Sequence, residues 1–317
     1  MQIIEPVIVK RSDWGVSDKL IGLLRRLKPL ADQSCVLNLR LEDGNLLNPP
    51  PRTLPPWKYC DVDRIYVQQQ EELGKSGVYK LDITEEYLPK DAAWRSIRNK
   101  TGLYATGFSG SYGAIYDDVG LEPLESAVDP ENTNLLAHIY RNTGKSIPGV
   151  ARPSLYFGGT KTCFPAHDED CGLPSLNYGF WSKNGGVSKL WTVVPDGRNV
   201  LKQLLPRGQC PQAIWNHRTL FFPEQLLQQR RIPYYRVEQQ PGDWVVTYPG
   251  GLHCGINTQP NIHEAVNIWW PDLISRCLRQ KDLDKTRLRG GAAGRRGPKC
   301  DRCSTESANY AAGISLV

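Results

Sequence analysis

The most chemically informative stretch of the sequence is FPAHDEDCGL, residues 164–173, which places His167 and Glu169 two positions apart. Side chains at positions i and i+2 of a β-strand point to the same face, so an extended stretch would let this pair share one metal ion. His253 in PGDWVVTYPGGLHCGIN supplies a third ligand from a second predicted strand. Two histidines and one carboxylate on adjacent strands form the facial triad of Fe(II) oxygenases, which leaves positions open on the metal.

The choice of the third ligand rests on where each histidine lies relative to its predicted strand. The chain has only 5 histidines, and an isolated His-x-Glu pair is frequent by chance. His263, beside Glu264, is the rival ligand, but it precedes its predicted strand instead of lying in a turn-and-strand segment. We therefore prefer His253.

Iron with open positions needs an electron source to activate oxygen, and 2-oxoglutarate is the usual one for this triad. The far carboxylate of 2-oxoglutarate needs a cation, for which Lys189, at the start of KLWTVVPD, is the candidate. Asn177 in SLNYGFW would add a neutral hydrogen-bond donor. The alternative interpretation is a surface lysine and a turn asparagine.

Two cysteine-containing segments indicate a second metal. Cys210 and His217 in CPQAIWNH, with Cys300 and Cys303 in CDRC, could form one tetrahedral Cys3His zinc site. Such a site would be structural, because all four positions are filled. The alternative is a core thiol at Cys210 and an unrelated tail motif at CDRC, and Cys277 remains unassigned.

Composition restricts the class of protein. With 317 residues the chain can bury a substantial core, as one large domain or two tightly joined pieces. The net charge of +6 favours acidic partners only weakly. The 9 cysteines come without a recognisable secretion signal, so we expect reduced intracellular thiols. No apolar run approaches the length needed to cross a bilayer, so no membrane association is expected.

The periodicity predicts a mostly β protein with helical additions. An amphipathic helix should begin near Ser17 and end near Pro29. From about residue 150, short apolar segments separated by turns predict a β-sandwich or barrel, with helical inserts at GRNVLKQLL and PEQLLQQRR. After Pro271 the chain becomes basic and glycine-rich.

Two long runs carry a resemblance to a known family. IPGVARPSLYFGGTKTCFPAHDEDCGLPSLNYGFWSKNGGVSKLWTVVP and DWVVTYPGGLHCGINTQPNIHEAVNIWW resemble the JmjC domain of histone lysine demethylases, in particular the type with adjacent JmjN and JmjC regions. YATGFSGS with IYDD is similar to the segment that brings a tyrosine to 2-oxoglutarate, and PPPRTLPPWKYCDVD is similar to the end of JmjN.

The resemblance covers roughly residues 1–275 and implies a double-stranded β-helix, the jelly-roll or cupin-like JmjC barrel, with a JmjN-like α/β N-terminal region. The expected organisation is a JmjN-like region and connector at 1–60 and a mixed linker region packed on the barrel at 61–116. The catalytic barrel would then span residues 117–275. A basic tail that carries half of the zinc site would span residues 276–317.

The same resemblance implies a role for each site residue. The iron ligands would be His167, Glu169 and His253. The residues around 2-oxoglutarate would be Tyr104, Asn177, Lys189 and Trp191. The residues around the methylated ammonium would be Gly149, Tyr156, Glu169, Ala265, Val266 and Asn267. Ala265 and Val266 replace small hydroxyl residues of many relatives, and the extra apolar room suits trimethyl-lysine.

The implied function is a nuclear, Fe(II)- and 2-oxoglutarate-dependent demethylase of trimethyl- and dimethyl-lysine on histone H3, at the ninth or thirty-sixth lysine. N-methyl hydroxylation would release formaldehyde and succinate. The implied partners are the methylated histone tail and the nucleosome, and the basic tail could add non-specific DNA contacts. The alternatives are a hydroxylase of the same fold acting on a non-histone side chain, and a non-catalytic chromatin scaffold.

Overall fold

The computed structural model describes residues 1–13, 17–42, 59–60, 65–86, 103–111, 154–169, 173–205, 210 and 218–268. Most of these residues lie in strands, and the helices are short, which confirms the predicted mostly β class. The strands are β1 (Gln2–Ile3), β2 (Val7–Val9), β3 (Val36–Leu41), β4 (Tyr59–Cys60), β5 (Ile65–Glu72), β6 (Tyr79–Glu86), β7 (Leu103–Ser111), β8 (Ser154–Gly158), β9 (Cys163–His167), β10 (Ser175–Ser182), β11 (Lys189–Pro195), β12 (Leu220–Phe221), β13 (Tyr235–Gln239), β14 (Asp243–Thr247), β15 (Gly251–Asn257) and β16 (Asn261–Asn267). The α-helices are α1 (Ser17–Leu27), α2 (Gly197–Val200) and α3 (Glu224–Gln229).

The described strands form two sheets. The smaller is 5-stranded, in the order β1-β13-β11-β15-β9, and the larger is 11-stranded, in the order β12-β6-β5-β7-β8-β16-β10-β14-β3-β2 with β4 paired to β7. From β8 to β11, and again from β13 to β16, successive strands alternate between the two sheets. This winding is the double-stranded β-helix expected from the sequence.

One cluster of buried side chains contains residues from both sheets. Val36 and Val245 come from the larger sheet, and Phe164, Trp191 and Val237 come from the smaller one. Burial of these side chains removes apolar surface from water and joins the two layers. The same cluster contains Tyr104, so the hydrophobic core continues directly into the candidate site.

The helices cover other parts of the two sheets. Helix α1 buries Leu20, Leu23 and Leu24 against side chains of the larger sheet, as the helical spacing predicted. It ends at Leu27, where Pro29 leads into a 3-10 turn over Lys28–Ala31. Helix α2, the following 3-10 turn and α3 pack with residues of the smaller sheet, and both predicted helical inserts are confirmed.

The N-terminal strands belong to both sheets. Strand β1 pairs in parallel with β13, and β3 pairs antiparallel with β14. Residues 117–153 and 276–317 lie outside the described part of the chain, and the domain boundaries expected from the sequence stay a prediction. Among the described residues, none of the helices combines the length and apolar character that crossing a membrane would require.

Candidate iron and co-substrate site

The pairing of β9 with β15 brings the predicted iron ligands together. His253 lies directly opposite His167 in this antiparallel pair. One ligand atom from each of His167, Glu169 and His253 lies within 4.8 Å of the others. The Nδ1 atom of His167 is 2.8 Å from the Pro165 carbonyl oxygen, and that of His253 is 3.0 Å from the Gly251 carbonyl oxygen. These contacts leave Nε2 of both rings for a metal.

Glu169 reaches the site differently from the prediction. Strand β9 ends at His167, so the expectation that one strand carries both His167 and Glu169 is wrong. The next residue, Asp168, follows the strand: its Oδ1 accepts the Glu169 N–H at 3.0 Å, and its Oδ2 accepts the Arg198 Nε–H at 2.8 Å. Glu169 Oε1 nevertheless lies 3.3 Å from His253 Nε2.

The three predicted ligand side chains shift one another's pKa values. Burial and the neighbouring His253 and Arg218 lower the pKa of His167 to about 3. Burial would raise the pKa of Glu169, but its contacts with His253, His167 and Asn267 lower it overall. Burial would lower the pKa of His253, but Glu169 raises it. An anionic carboxylate and a neutral His167 are the protonation states that metal binding needs.

Two further hydrogen bonds orient the Glu169 carboxylate. Thr247 Oγ1 donates to Oε1 at 3.3 Å, and Asn267 Nδ2 donates to Oε2 at 3.0 Å. Both donors lie on the larger sheet, whereas the two histidines lie on the smaller one. The ligand set is therefore held by both layers of the fold.

Lys189 lines the same cavity and is almost fully buried, with 2% exposed. Its ammonium lies 5.4 Å from the ring centre of Phe164, 5.6 Å from that of Trp191 and 6.0 Å from that of Tyr156. Burial lowers the pKa of Lys189 to about 7. Within the described residues no carboxylate forms an ion pair with this amine, so an anionic ligand would stabilise its charged form.

The structure places the remaining predicted residues around the same cavity. Besides the three predicted iron ligands and Lys189, its lining includes Tyr104, Tyr156, Asn177, Trp191, Ala265, Val266 and Asn267. Burial and Tyr156 raise the pKa of Tyr104, so its hydroxyl keeps its proton and can donate a hydrogen bond. Gly149 lies outside the described residues.

Sequence reasoning missed three residues that line the cavity, Phe164, Ser175 and Arg218. Ser175 follows from strand alternation, because it shares a face of β10 with Asn177. Strand alternation does not predict Phe164, because it lies an odd number of positions from His167. The register between β9 and β15 shifts between His253 and Gly255, so both side chains reach the cavity. Arg218 adopts a positive φ of 48° and had no preceding strand pattern to reveal it.

His263 occupies a different place from the one predicted. It lies inside β16 and is fully buried, so the expectation that it precedes its strand is wrong. Its Nδ1 contacts Asn177 Oδ1 at 3.0 Å, and it is absent from the metal-ligand cluster of the described residues. Of the predicted zinc ligands, Cys210 is described and partly buried, whereas His217, Cys300 and Cys303 lie outside the described residues, as does Cys277.

We expect Asp168→Ala to weaken metal binding. The change removes the acceptor that holds the Glu169 backbone and the carboxylate that contacts Arg198. Loss of a group that orients a metal ligand typically costs about ten- to a hundredfold in affinity. Fe(II) or Mn(II) titration would measure the change. Asp32→Ala, which breaks only the exposed pair with Lys28, is the control and should bind metal normally. Equal affinities of both variants would contradict the role of Asp168.

The sequence is similar to a known family model and to several known proteins. Residues 154–268 match the family model described as JmjC domain, hydroxylase. The chain is 27% identical over 277 residues to Lysine-specific demethylase 4B of Mus musculus, covering 75% of this chain and 24% of that protein. It is 38% identical over 137 residues to Lysine-specific demethylase 4D of Rattus norvegicus, and this match covers 41% of this chain and 26% of that protein. It is 34% identical over 136 residues to Lysine-specific demethylase JMJ17 of Arabidopsis thaliana, and this match covers 41% of this chain and 11% of that protein. The matches thus span about a quarter or less of these relatives.

Proposed function

We propose that this chain, whose residues 154–268 form a JmjC domain, is an Fe(II)- and 2-oxoglutarate-dependent dioxygenase that removes methyl groups from trimethyl- and dimethyl-lysine of histone H3. One observation carries the proposal. A single cavity combines the His167, Glu169 and His253 donor set with the buried Lys189 ammonium. A metal site and an anion site in one cavity suit a metal-bound dicarboxylate.

The donor set fits Fe(II). Two imidazole nitrogens and one carboxylate oxygen from neighbouring segments give the two-histidine, one-carboxylate arrangement that this ion uses in oxygenases. When bound, iron with 2-oxoglutarate and oxygen supplies the oxidising equivalent that hydroxylates an N-methyl group, while 2-oxoglutarate becomes succinate and carbon dioxide. The protein contributes the ligand orientation through the carbonyl contacts of both rings and the two hydrogen bonds to Glu169.

In this proposal Lys189 and Tyr104 bind the far carboxylate of 2-oxoglutarate. The ammonium supplies charge and the protonated phenol supplies a hydrogen bond in a setting without bulk water. Asn177 donates a hydrogen bond from the wall of β10, and Trp191 packs beside the ligand. The aromatic rings around Lys189 exclude water, which strengthens the ion pair that the carboxylate would form.

The methylated ammonium would lie between Tyr156, Glu169, Ala265, Val266 and Asn267, at the part of the cavity next to the metal ligands. Gly149 is proposed to join them from outside the described residues. Oxygen atoms of this set can stabilise N-methyl groups through weak C–H···O contacts. Hydroxylation of a methyl group needs no lone pair on nitrogen, so trimethyl-lysine is a substrate, and the resulting hydroxymethylamine releases formaldehyde.

The finer assignments belong to the same proposal. The histone target is the ninth or thirty-sixth lysine of histone H3, the location is the nucleus, and the nucleosome is the larger partner. The names of the relatives, as lysine-specific demethylases, support the substrate class. The proposal also includes a structural zinc held by Cys210, His217, Cys300 and Cys303. It further includes DNA contacts of the basic tail and a JmjN-like region at 1–60.

A second candidate, a hydroxylase that leaves a stable alcohol on a protein side chain, is favoured by the description of the matched family model itself. Mass spectrometry separates the two. The chain is incubated with Fe(II), 2-oxoglutarate, ascorbate and trimethylated histone H3 peptides, with an iron-free control. We expect stepwise, iron-dependent loss of methyl groups from one peptide. A stable gain of oxygen would support the hydroxylase, and unchanged peptides without succinate would contradict both functions.

A further inference from the structure

A directed chain of hydrogen bonds runs behind the co-substrate cavity. The indole of Trp191 can only donate, and its Nε1 donates to Gln239 Oε1 at 2.8 Å. This contact fixes which end of the Gln239 carboxamide is oxygen. Its Nε2 atom therefore donates to Asn177 Oδ1 at 3.1 Å, and also contacts the backbone oxygens of Asn177 and Asp243.

His263 contacts the same oxygen of Asn177 from the other side. Its Nδ1 lies 3.0 Å from Asn177 Oδ1. A carboxamide oxygen only accepts hydrogen bonds, so Nδ1 of His263 must carry the hydrogen. With its oxygen held by both Gln239 and His263, Asn177 is left with its amide nitrogen for a ligand in the cavity.

The surroundings of His263 keep its ring neutral. The side chain is fully buried at the centre of β16, and burial together with the charge of Lys189 holds its pKa well below the usual range. A neutral ring with its hydrogen on Nδ1 has a lone pair on Nε2, and within the described residues this atom has no hydrogen-bond partner. A buried polar atom left in this way costs free energy, which points to a role other than packing.

We propose that His263 is a positioning residue of the co-substrate cavity: it holds Asn177 so that the amide N–H faces the ligand, and thereby selects a ligand group that accepts a hydrogen bond. The carboxylate and keto oxygens of 2-oxoglutarate are such groups. The inference rests on the proposed function for the identity of the ligand, whereas the orientation of Asn177 is a property of the protein alone.

The orientation is tested first in the ligand-free, full-length chain. Nuclear magnetic resonance of protein labelled with heavy nitrogen in histidine distinguishes the two neutral tautomers. We expect the histidine whose signal disappears in His263→Asn to be neutral across the neutral pH range, with its hydrogen on Nδ1. A hydrogen on Nε2, or a charged ring, would overturn the proposal.

The effect on the ligand is tested by calorimetric titration of the Mn(II)-loaded chain with 2-oxoglutarate. His263→Leu has a similar volume but no donor, and we expect it to bind about tenfold more weakly. His263→Asn places an amide donor where Nδ1 was, and we expect it to bind close to the unsubstituted chain. Thermal unfolding of both variants checks that they are folded.

The binding measurements test the role of the His263 Nδ1 donor separately from the identity of the ligand. Unchanged binding by His263→Leu, or equally weak binding by His263→Leu and His263→Asn, would overturn the role of the Nδ1 donor. If the unsubstituted chain does not bind 2-oxoglutarate, the proposed function fails, and the tautomer of His263 alone then decides whether Asn177 is oriented as proposed.

Discussion

Replacing His253 with alanine is expected to abolish stoichiometric Fe(II) binding and, with it, succinate production. The change removes one of the three donors and leaves the Glu169 carboxylate without its 3.3 Å contact to an imidazole nitrogen. Loss of a group that only orients a ligand already costs up to about a hundredfold in affinity, so loss of the ligand itself should cost more. Metal analysis after dialysis against Fe(II), together with a Mn(II) titration, would measure the loss.

His263→Leu is the matched control for the metal measurement, because it also removes a buried histidine from the barrel but lies outside the metal-ligand cluster. We expect it to bind one equivalent of Fe(II) as the unsubstituted chain does. Retention of full metal affinity by His253→Ala would contradict the assignment of the triad, whatever its effect on activity. Circular dichroism of both variants would exclude loss of the fold as the cause.

Replacing Lys189 with methionine is expected to have two opposite effects. The buried ammonium that would pair with the far carboxylate of 2-oxoglutarate is lost, which should weaken 2-oxoglutarate binding at least about a hundredfold. The ligand-free protein, in contrast, should gain stability, because burial lowers the amine pKa from 10.5 to about 7 and that shift opposes folding. At about 1.4 kcal/mol for each pKa unit, the gain is about 4 to 5 kcal/mol near neutral pH.

The sign of the pH dependence follows from the lowered pKa of Lys189. The unfolded chain binds this proton more tightly than the folded one, so the destabilisation is complete below pH 7 and disappears as the pH rises toward 10.5. The stabilisation by Lys189→Met, measured by thermal unfolding, should shrink over the same range. The exposed Lys183→Met is the control and should shift neither stability nor binding. A less stable Lys189→Met protein that still binds 2-oxoglutarate would contradict this role.

The parts of the site that the sequence revealed are those that depend on spacing and strand alternation. The segments around His167 and His253 read as strands, and their antiparallel pairing places the two residues opposite each other. Lys189, at the start of an apolar strand, was predicted as the cation for the far carboxylate of 2-oxoglutarate, and the structure buries it in the cavity wall. Strong local periodicity fixes which face a side chain occupies, and that information is contained in the sequence.

The parts that the sequence did not reveal depend on local departures from regular strands and on tertiary contacts. Strand β9 ends before Glu169, whose N–H contacts the Asp168 side chain, and a register shift brings Phe164 to the cavity. Neither feature follows from the two-residue alternation of a regular strand. The contact of His263 with Asn177 joins residues 86 positions apart. Gln239 meets Trp191 across a separation of 48 positions. Such contacts exist only once the two sheets are packed together.

The central claim is that His167, Glu169 and His253 hold one Fe(II) in the cavity where Lys189 receives 2-oxoglutarate. Anaerobic titration of the metal-free chain with Fe(II) and then 2-oxoglutarate, followed by visible absorption, tests this claim most directly. We expect one equivalent of iron and a new visible absorption band when 2-oxoglutarate is added, with the band lost in Lys189→Met. Iron binding without any spectral response to 2-oxoglutarate, or the same band in His253→Ala, would contradict it.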